Sequence, residues 1–264
     1  MVRDFIARGY RFLIVTPNPE IILMAQKDRE LMQILNKADL AIPDGVALLA
    51  ADKFSGLEVL GNSIFNFFKL VYCWILYFYV YTFDKQKLEG RVKLLKGREL
   101  FMDLVKLANK KGWRVFLLGG LGREAEISKQ KLEIGYKKVK IQAFAGPKLD
   151  NKAEPVTEVD RVIEKDAIAR INNFKPQLLF VAFGAPKQEK WTAGWLDKLD
   201  IGGAMVVGGT FSYIAGTGKI PPIWMDKCGL EWLWRLITEP VRAPRIFRAT
   251  ILFPLKVILC KIKK

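Results

Sequence analysis

The stretch Phe12-Leu13-Ile14-Val15-Thr16-Pro17-Asn18-Pro19-Glu20 passes abruptly from an apolar run to prolines and polar side chains. A short branched and aromatic run bounded by turn formers reads as a buried strand, and Thr16 to Asn18 is the turn leaving its carboxyl end. Ile21 to Leu35 then carries helical periodicity. Ala38-Asp39-Leu40-Ala41-Ile42 reads as a second strand running into Pro43-Asp44-Gly45. In open α/β sheets, ligands bind in the crevice outside the carboxyl ends of the strands. Two polar turns at such ends therefore point to one site, and Asp44 is the only carboxylate within either turn.

The same alternation resumes further along. Leu100 to Lys110 is expected to be a helix, and Trp113 to Leu118 a strand that turns at Gly119-Gly120-Leu121-Gly122 into a helix beginning near Arg123. Val139 to Phe144 reads as a strand, Asp150 to Glu158 as a polar loop and Val159 to Asn172 as a helix. Gln177 to Phe183 and Met205 to Val207 are the remaining strands, the last ended by Gly208-Gly209-Thr210. Strands alternating with helices predict an α/β fold, Rossmann-like, with a mostly parallel sheet and helices on both faces.

Composition narrows the chemistry. The 264 residues hold 43 Lys and Arg against 27 Asp and Glu, a formal charge of +16, and no histidine. Proton transfer must then fall to a carboxylate, Tyr, Lys or Cys. Cys73, Cys228 and Cys260 are odd in number and show no CxxC spacing, which argues against a disulfide framework and against zinc. The N-terminus carries no apolar run of signal-peptide length, so a cytosolic location is expected. A charge this positive implies phosphate-rich partners: nucleic acid, anionic lipid or a phosphorylated substrate.

Two segments fall outside the alternation. Residues 64–83, IFNFFKLVYCWILYFYVYTF, are almost wholly apolar and aromatic, with Lys69 the one charge. As a helix they would be about 30 Å long, near the hydrocarbon thickness of a bilayer. Tyr72, Tyr77, Tyr79, Tyr81 and Trp74 suit a membrane interface, while a buried helix or a strand is the plainer alternative. Strand signals lie on both sides of this stretch, and one crossing would put half the sheet across the membrane. An interfacial or re-entrant element is therefore expected, within an apolar insertion at about 55–95. From Gly229 onward, the amphipathic Leu230 to Ile237 is followed by Arg242, Arg245 and Arg248, an apolar run 249–260 and terminal lysines. Basic residues interleaved with Trp, Phe and Ile read as a membrane-surface segment. The division expected is a core over 1–228 and a basic amphipathic appendage over 229–264.

Gly119 and Gly120 stand where backbone N–H groups can approach a phosphate at a helix N-terminus, although a tight turn explains them equally well. Gly184-Ala185-Pro186-Lys187-Gln188-Glu189 puts a flexible turn, a cation, an amide and a carboxylate at one strand end, suited to a sugar or phosphate. Gly208-Gly209-Thr210-Phe211 likewise permits close backbone approach. No DxD occurs, so nothing in the sequence points to a metal-bound nucleotide diphosphate.

Taken in order, these blocks resemble the WecG/TagA/CpsF glycosyltransferases. The matching runs are Thr16 to Glu20, Ala38-Asp39 with Pro43 to Gly45, Val115 to Gly120, Phe183 to Glu189 and Val207 to Phe211. They continue from Ile214-Ala215-Gly216 through Gly229 to Leu233, and on to Arg235, Glu239-Pro240, Arg242 and Arg245. The resemblance implies an inverting transfer that needs neither metal nor cofactor. The sugar, N-acetylmannosamine or a related one, would pass from a UDP-sugar to a polyprenol-diphosphate-linked N-acetylglucosamine. It implies Asp44 as general base, with Thr16, Asn18, Gln188, Lys187, Gly119, Gly120, Gly209 and Thr210 around the substrates. Arg235, Arg242 and Arg245 would meet the departing diphosphate. Guanidinium forks suit that task. The partners expected are the two substrates and an anionic membrane surface on the cytoplasmic face, with a homo-oligomer allowed and no nucleic acid.

The sequence departs from the family pattern in places. Leu94-Leu95-Lys96-Gly97 stands where an Arg-Val-Thr-Gly block is usual, Ser212 stands where an Asp is common, and the first motif lies so near residue 1 that the family's N-terminal strand is expected to be either missing or truncated. Two rival readings remain at this level. One is a nucleotide-dependent oxidoreductase using the Gly119–Gly122 turn, which lacks an acidic residue at the ribose-binding distance after an early GxGxxG. The other is a non-catalytic basic membrane-binding module.

Overall fold

The computed structural model describes residues 1–56, 68, 72–76, 96–218, 222, 225, 231–238, 240 and 243–262. The chain divides into two compact units: residues 1–16, 24–42 and 97–218, and residues 17–23, 43–96 and 219–264.

The first unit is built on a sheet of six strands: β1 (Leu13–Val15), β2 (Leu40–Ala41), β3 (Arg114–Gly119), β4 (Lys140–Phe144), β5 (Leu178–Ala182) and β6 (Ala204–Val206). Their spatial order is β2-β1-β6-β5-β3-β4, and every pairing is parallel. Parallel sheets need both faces covered, and the alternation of side chains along β3 and β5 shows how this is met. Phe116, Leu118, Leu179 and Val181 point to one face, into a buried cluster with Ala167 and Ile171 of α7 (Glu158–Phe174) and Trp191 of α8 (Lys187–Trp195). Phe180 points the other way and meets the ring of Phe101, 4.5 Å distant, on α5 (Gly97–Lys111). Phe101 in turn lies 6.2 Å from Phe211 of α9 (Thr210–Ala215), which α6 (Glu124–Gly135) holds by a Ser128 hydroxyl donated to the Phe211 carbonyl. Each such ring buried stabilises the fold by roughly 1.5–3 kcal/mol.

The helix expected over Ile21 to Leu35 is instead two, α2 (Pro19–Ala25) and α3 (Arg29–Lys37). The break is made by Asp28, whose extended backbone and side-chain acceptance of the Leu31 N–H (3.1 Å) start a new helix. The cation, amide and carboxylate that follow the Gly184-Ala185-Pro186 turn stand in the first turn of helix α8, which begins at Lys187. Helices α1 (Val2–Ala7), α4 (Val46–Gly56), α8 and α9 go beyond what the sequence alone suggests.

The second unit has its own core. Leu23 of α2, Leu49, Ala50, Ala51 and Phe54 of α4, Cys73, and Phe253 and Ile258 form one buried cluster. The last two belong to the C-terminal run of α11 (Ala243–Phe247), a π-turn (Arg248–Leu252) and α12 (Phe253–Ile262). Helix α10 (Glu231–Thr238) precedes them, where an amphipathic helix was expected. The apolar stretch 64–83 lies outside the described residues except for Phe68 and residues 72–76. There Cys73 is buried, whereas Phe68, Tyr72 and Ile75 are exposed. Among the described residues, no helix is long and apolar enough to cross a membrane.

Candidate active site

In the first unit the candidate residues gather at the carboxyl edge of the sheet, because each lies at the end of a strand or within six residues after it. Thr16 leaves β1, Gly119 closes β3 and Gly120 follows it, Lys187 and Gln188 follow β5, and Gly209 and Thr210 follow β6. Thr16 is buried, and its hydroxyl donates to the Val206 carbonyl at 3.4 Å, bridging neighbouring strands β1 and β6. Its methyl group limits the space at Gly97, where a Cβ would come within 3.2 Å.

The Gly119-Gly120 turn is held mainly by packing. The Gly120 N–H donates to the Ala182 carbonyl at 2.9 Å, joining the ends of β3 and β5. A carboxylate already stands at the start of the following helix: Glu124 is buried and accepts from the Leu121 N–H (2.9 Å) and the Thr217 hydroxyl (2.7 Å). An anion in this place complements the helix N-terminus.

Gln188 is almost fully buried, and its side chain is engaged at both ends. Its oxygen accepts from the Gly184 N–H (3.2 Å) and the Gly208 N–H (3.1 Å), and its amide donates to Glu189 Oε1 (2.9 Å). One side chain thus ties the loop after β5 to the loop after β6. Glu189 is buried, its other oxygen has no partner among the described residues, and burial pushes its carboxyl above the ordinary range. Lys187, one residue earlier, is half-buried. Thr210 donates to the Val207 carbonyl at 2.7 Å, and Gly209 accepts from the Ser212 hydroxyl at 2.6 Å. Thr210 also lines an open groove of about 490 Å³ with Arg98, Met102 and Tyr213.

The second unit holds the remaining candidates. The half-buried Asp44 donates its N–H to the Pro17 carbonyl at 2.8 Å, so the turn after β2 runs alongside the turn after β1. Asn18 accepts from the Ile21 N–H at 2.9 Å and thereby caps α2, leaving the NH2 end of its amide as the donor. Arg245 is exposed and pairs with Glu20, Nε to Oε1 at 3.3 Å. The side chain of Arg235, on α10, and all of Arg242 lie outside the described residues. Among the described residues, no group of three Cys, Asp or Glu side chains is arranged to hold a metal ion.

The sequence matches the Glycosyl transferase WecG/TagA/CpsF family over residues 1–64 and 80–264. The chain belongs to this family. Membership decides between the two enzyme readings in favour of glycosyl transfer. The span passed over, 65–79, falls within the apolar stretch 64–83. Among curated relatives, the N-acetylglucosaminyldiphosphoundecaprenol N-acetyl-beta-D-mannosaminyltransferase of Bacillus subtilis (strain 168) is 27% identical over 244 residues, 92% of this chain and 78% of that protein. The protein of the same name in Staphylococcus aureus (strain NCTC 8325 / PS 47) is 27% identical over 233 residues, 88% of this chain and 74% of that one.

Three contributors escaped the sequence reading. Glu124 braces the Gly119 turn, and only its place in the first turn of a helix hinted at this. Lys190 is buried against Asp28 (2.7 Å) and Glu30 (2.9 Å), fastening α8 to α3, and nothing in the local pattern announces a buried lysine. Glu20 belongs to the first motif, and nothing in the sequence signals that its partner lies at the other end of the chain.

Proposed function

We propose that this glycosyltransferase moves N-acetylmannosamine or a related sugar from a UDP-sugar to a polyprenol-diphosphate-linked N-acetylglucosamine, for a cell-surface polysaccharide or teichoic-acid-type polymer. The observation that carries this reading is the family match along nearly the whole chain, which takes in every motif block from Thr16 to Arg245. The names of the two relatives supply the sugar and the acceptor class.

In the proposed reaction, Asp44 takes the proton from the acceptor hydroxyl as its oxygen attacks the anomeric carbon. The bond to the UDP oxygen breaks on the opposite side, inverting the configuration. A carboxylate suits this role in a chain without histidine. Asn18 and Lys187 would orient the sugars, and Arg235, Arg242 and Arg245 would take up the charge of the departing diphosphate. Residues 229–264 would act as an appendage that completes the site beside the 1–228 core. The work would take place at the cytoplasmic face of the cell membrane, where a lipid-linked acceptor resides.

Asp44→Asn should lower transfer at least about 100-fold, the low end for loss of a general base, with the folded circular-dichroism spectrum retained. The assay is release of UDP from UDP-N-acetylmannosamine with a synthetic lipid-diphosphate-N-acetylglucosamine acceptor. Transfer by that variant at the wild-type rate would exclude Asp44 as base, and no transfer by wild type from any UDP-sugar would exclude the reaction.

A further inference from the structure

Glu20 stands two residues after Asn18, in the first turn of α2, and its side chain is only 16% exposed. One of its oxygens, Oε1, faces two cations: Arg245 Nε at 3.3 Å and Arg248 Nη1 at 3.9 Å. Both guanidinium groups are half-exposed. The pairing is not a chance meeting of surface chains, because the segments that carry it are packed together. Leu23, one turn on from Glu20, shares a buried cluster with Phe253 and Ile258, which follow the arginines on the C-terminal run. The second unit thus brings residues 18–20, Asp44 and Arg245 into one compact body, although they lie far apart in sequence.

The charge balance points to a ligand. Two guanidinium groups sharing one carboxylate leave a net positive charge on side chains that are half-exposed to solvent. A multiply charged phosphate complements that arrangement better than a single carboxylate does. A half-exposed arginine held at one nitrogen also has less freedom to lose when an anion arrives.

We propose that Glu20 is a positioning residue, holding Arg245 and Arg248 in the orientation that receives the diphosphate of a substrate. This rests on the reading of Arg245 as a diphosphate ligand. Positioning and simple charge neutralisation predict opposite signs. If Glu20 merely cancelled positive charge, Glu20→Gln would tighten anion binding. Because it positions the arginines, Glu20→Gln should weaken it.

The experiment is calorimetric titration of the full chain with inorganic pyrophosphate, a probe that requires no sugar transfer. Glu20→Gln should raise the dissociation constant roughly tenfold, the loss expected from two side chains no longer held in place. Glu20→Asp, which keeps the charge on a shorter arm, should recover part of that loss. In a background already carrying Arg245→Gln and Arg248→Gln, adding Glu20→Gln should change nothing further. Tighter or unchanged binding by Glu20→Gln, additive losses in that background, or no pyrophosphate binding by wild type would each overturn the assignment. A wild-type chain that binds pyrophosphate in this pattern yet moves no sugar would defeat the reaction proposed above and leave the role of Glu20 standing.

Discussion

Gln188 donates its side-chain amide to Glu189 Oε1 at 2.9 Å, within helix α8 where both residues are buried. The orientation of that amide is forced by its surroundings. Two backbone donors, the N–H groups of Gly184 and Gly208, converge on the other end, so the oxygen must lie there and the NH2 must face the carboxyl group. Gln188→Leu fills a similar volume but orphans both N–H groups and the Glu189 oxygen. At about 1–3 kcal/mol for each buried group left unpaired, the expected cost is on the order of 3 kcal/mol in urea unfolding. A loss below about 1 kcal/mol would mean that the loops after β5 and β6 are held by other contacts.

The carboxyl group of Glu189 should leave a signature in the pH dependence of stability. Burial raises its folded value above that of the unfolded chain. At pH values between the two, the native state holds a proton that the unfolded state has released. Stability therefore falls as pH rises through that window, and the penalty is constant once the folded value is passed. Glu189→Gln removes the titration while keeping the shape. The variant should gain on wild type by roughly 1 kcal/mol per pH unit across the lower part of the window, from about pH 5 upwards. Urea unfolding of both proteins at several pH values between 4.5 and 8 measures the difference. Parallel stability profiles would show that Glu189 ionises normally in the folded protein.

The sheet was legible in the sequence because its signal is local. Short apolar runs such as Phe12 to Val15 and Leu178 to Phe183, each ended by Gly, Pro or a polar turn, announce buried parallel strands whatever surrounds them. The strand order was not legible: β1 lies beside β6, residues nearly two hundred positions away, and no local pattern encodes that neighbour. The break between α2 and α3 is hidden in the sequence because Leu31 and Met32 stand seven residues on from Met24 and Ala25, in helical step, while the polar run Gln26 to Glu30 between them holds the Asp28 cap that starts a new helix. At the site, motif blocks identified residues but not what their side chains do. Gln188 and Thr210 look alike as polar residues after glycine turns, yet one ties two loops and the other closes its own turn. The pairing of Glu20 with Arg245 was out of reach for the same reason as the strand order. It joins distant parts of the chain through packing that only the folded unit displays.

Gly119 offers a direct comparison between a glycine required by packing and one kept open for a ligand. Its φ of +99° is disfavoured for any side chain, and an added Cβ would stand 2.8 Å from the backbone carbon and oxygen of Ala182. Those atoms cannot move aside cheaply. Gly119 is in register with Ala182, and the Ala182 carbonyl accepts from the Gly120 N–H, so displacing it disturbs the join between β3 and β5. Gly122, in the same turn, also has positive φ (+57°), but nothing lies within 4 Å of its added Cβ. Gly119→Ala should therefore cost about 3 kcal/mol or more, combining backbone strain with overpacking. For a chain of this size, that corresponds to a fall in Tm of roughly 6–12 °C. Gly122→Ala should cost only about 1–2 kcal/mol, the strain alone. Calorimetric scans of the two variants beside wild type make the comparison. If Gly119→Ala melts with wild type yet loses sugar transfer, the residue is there to admit a ligand and the packing account is wrong.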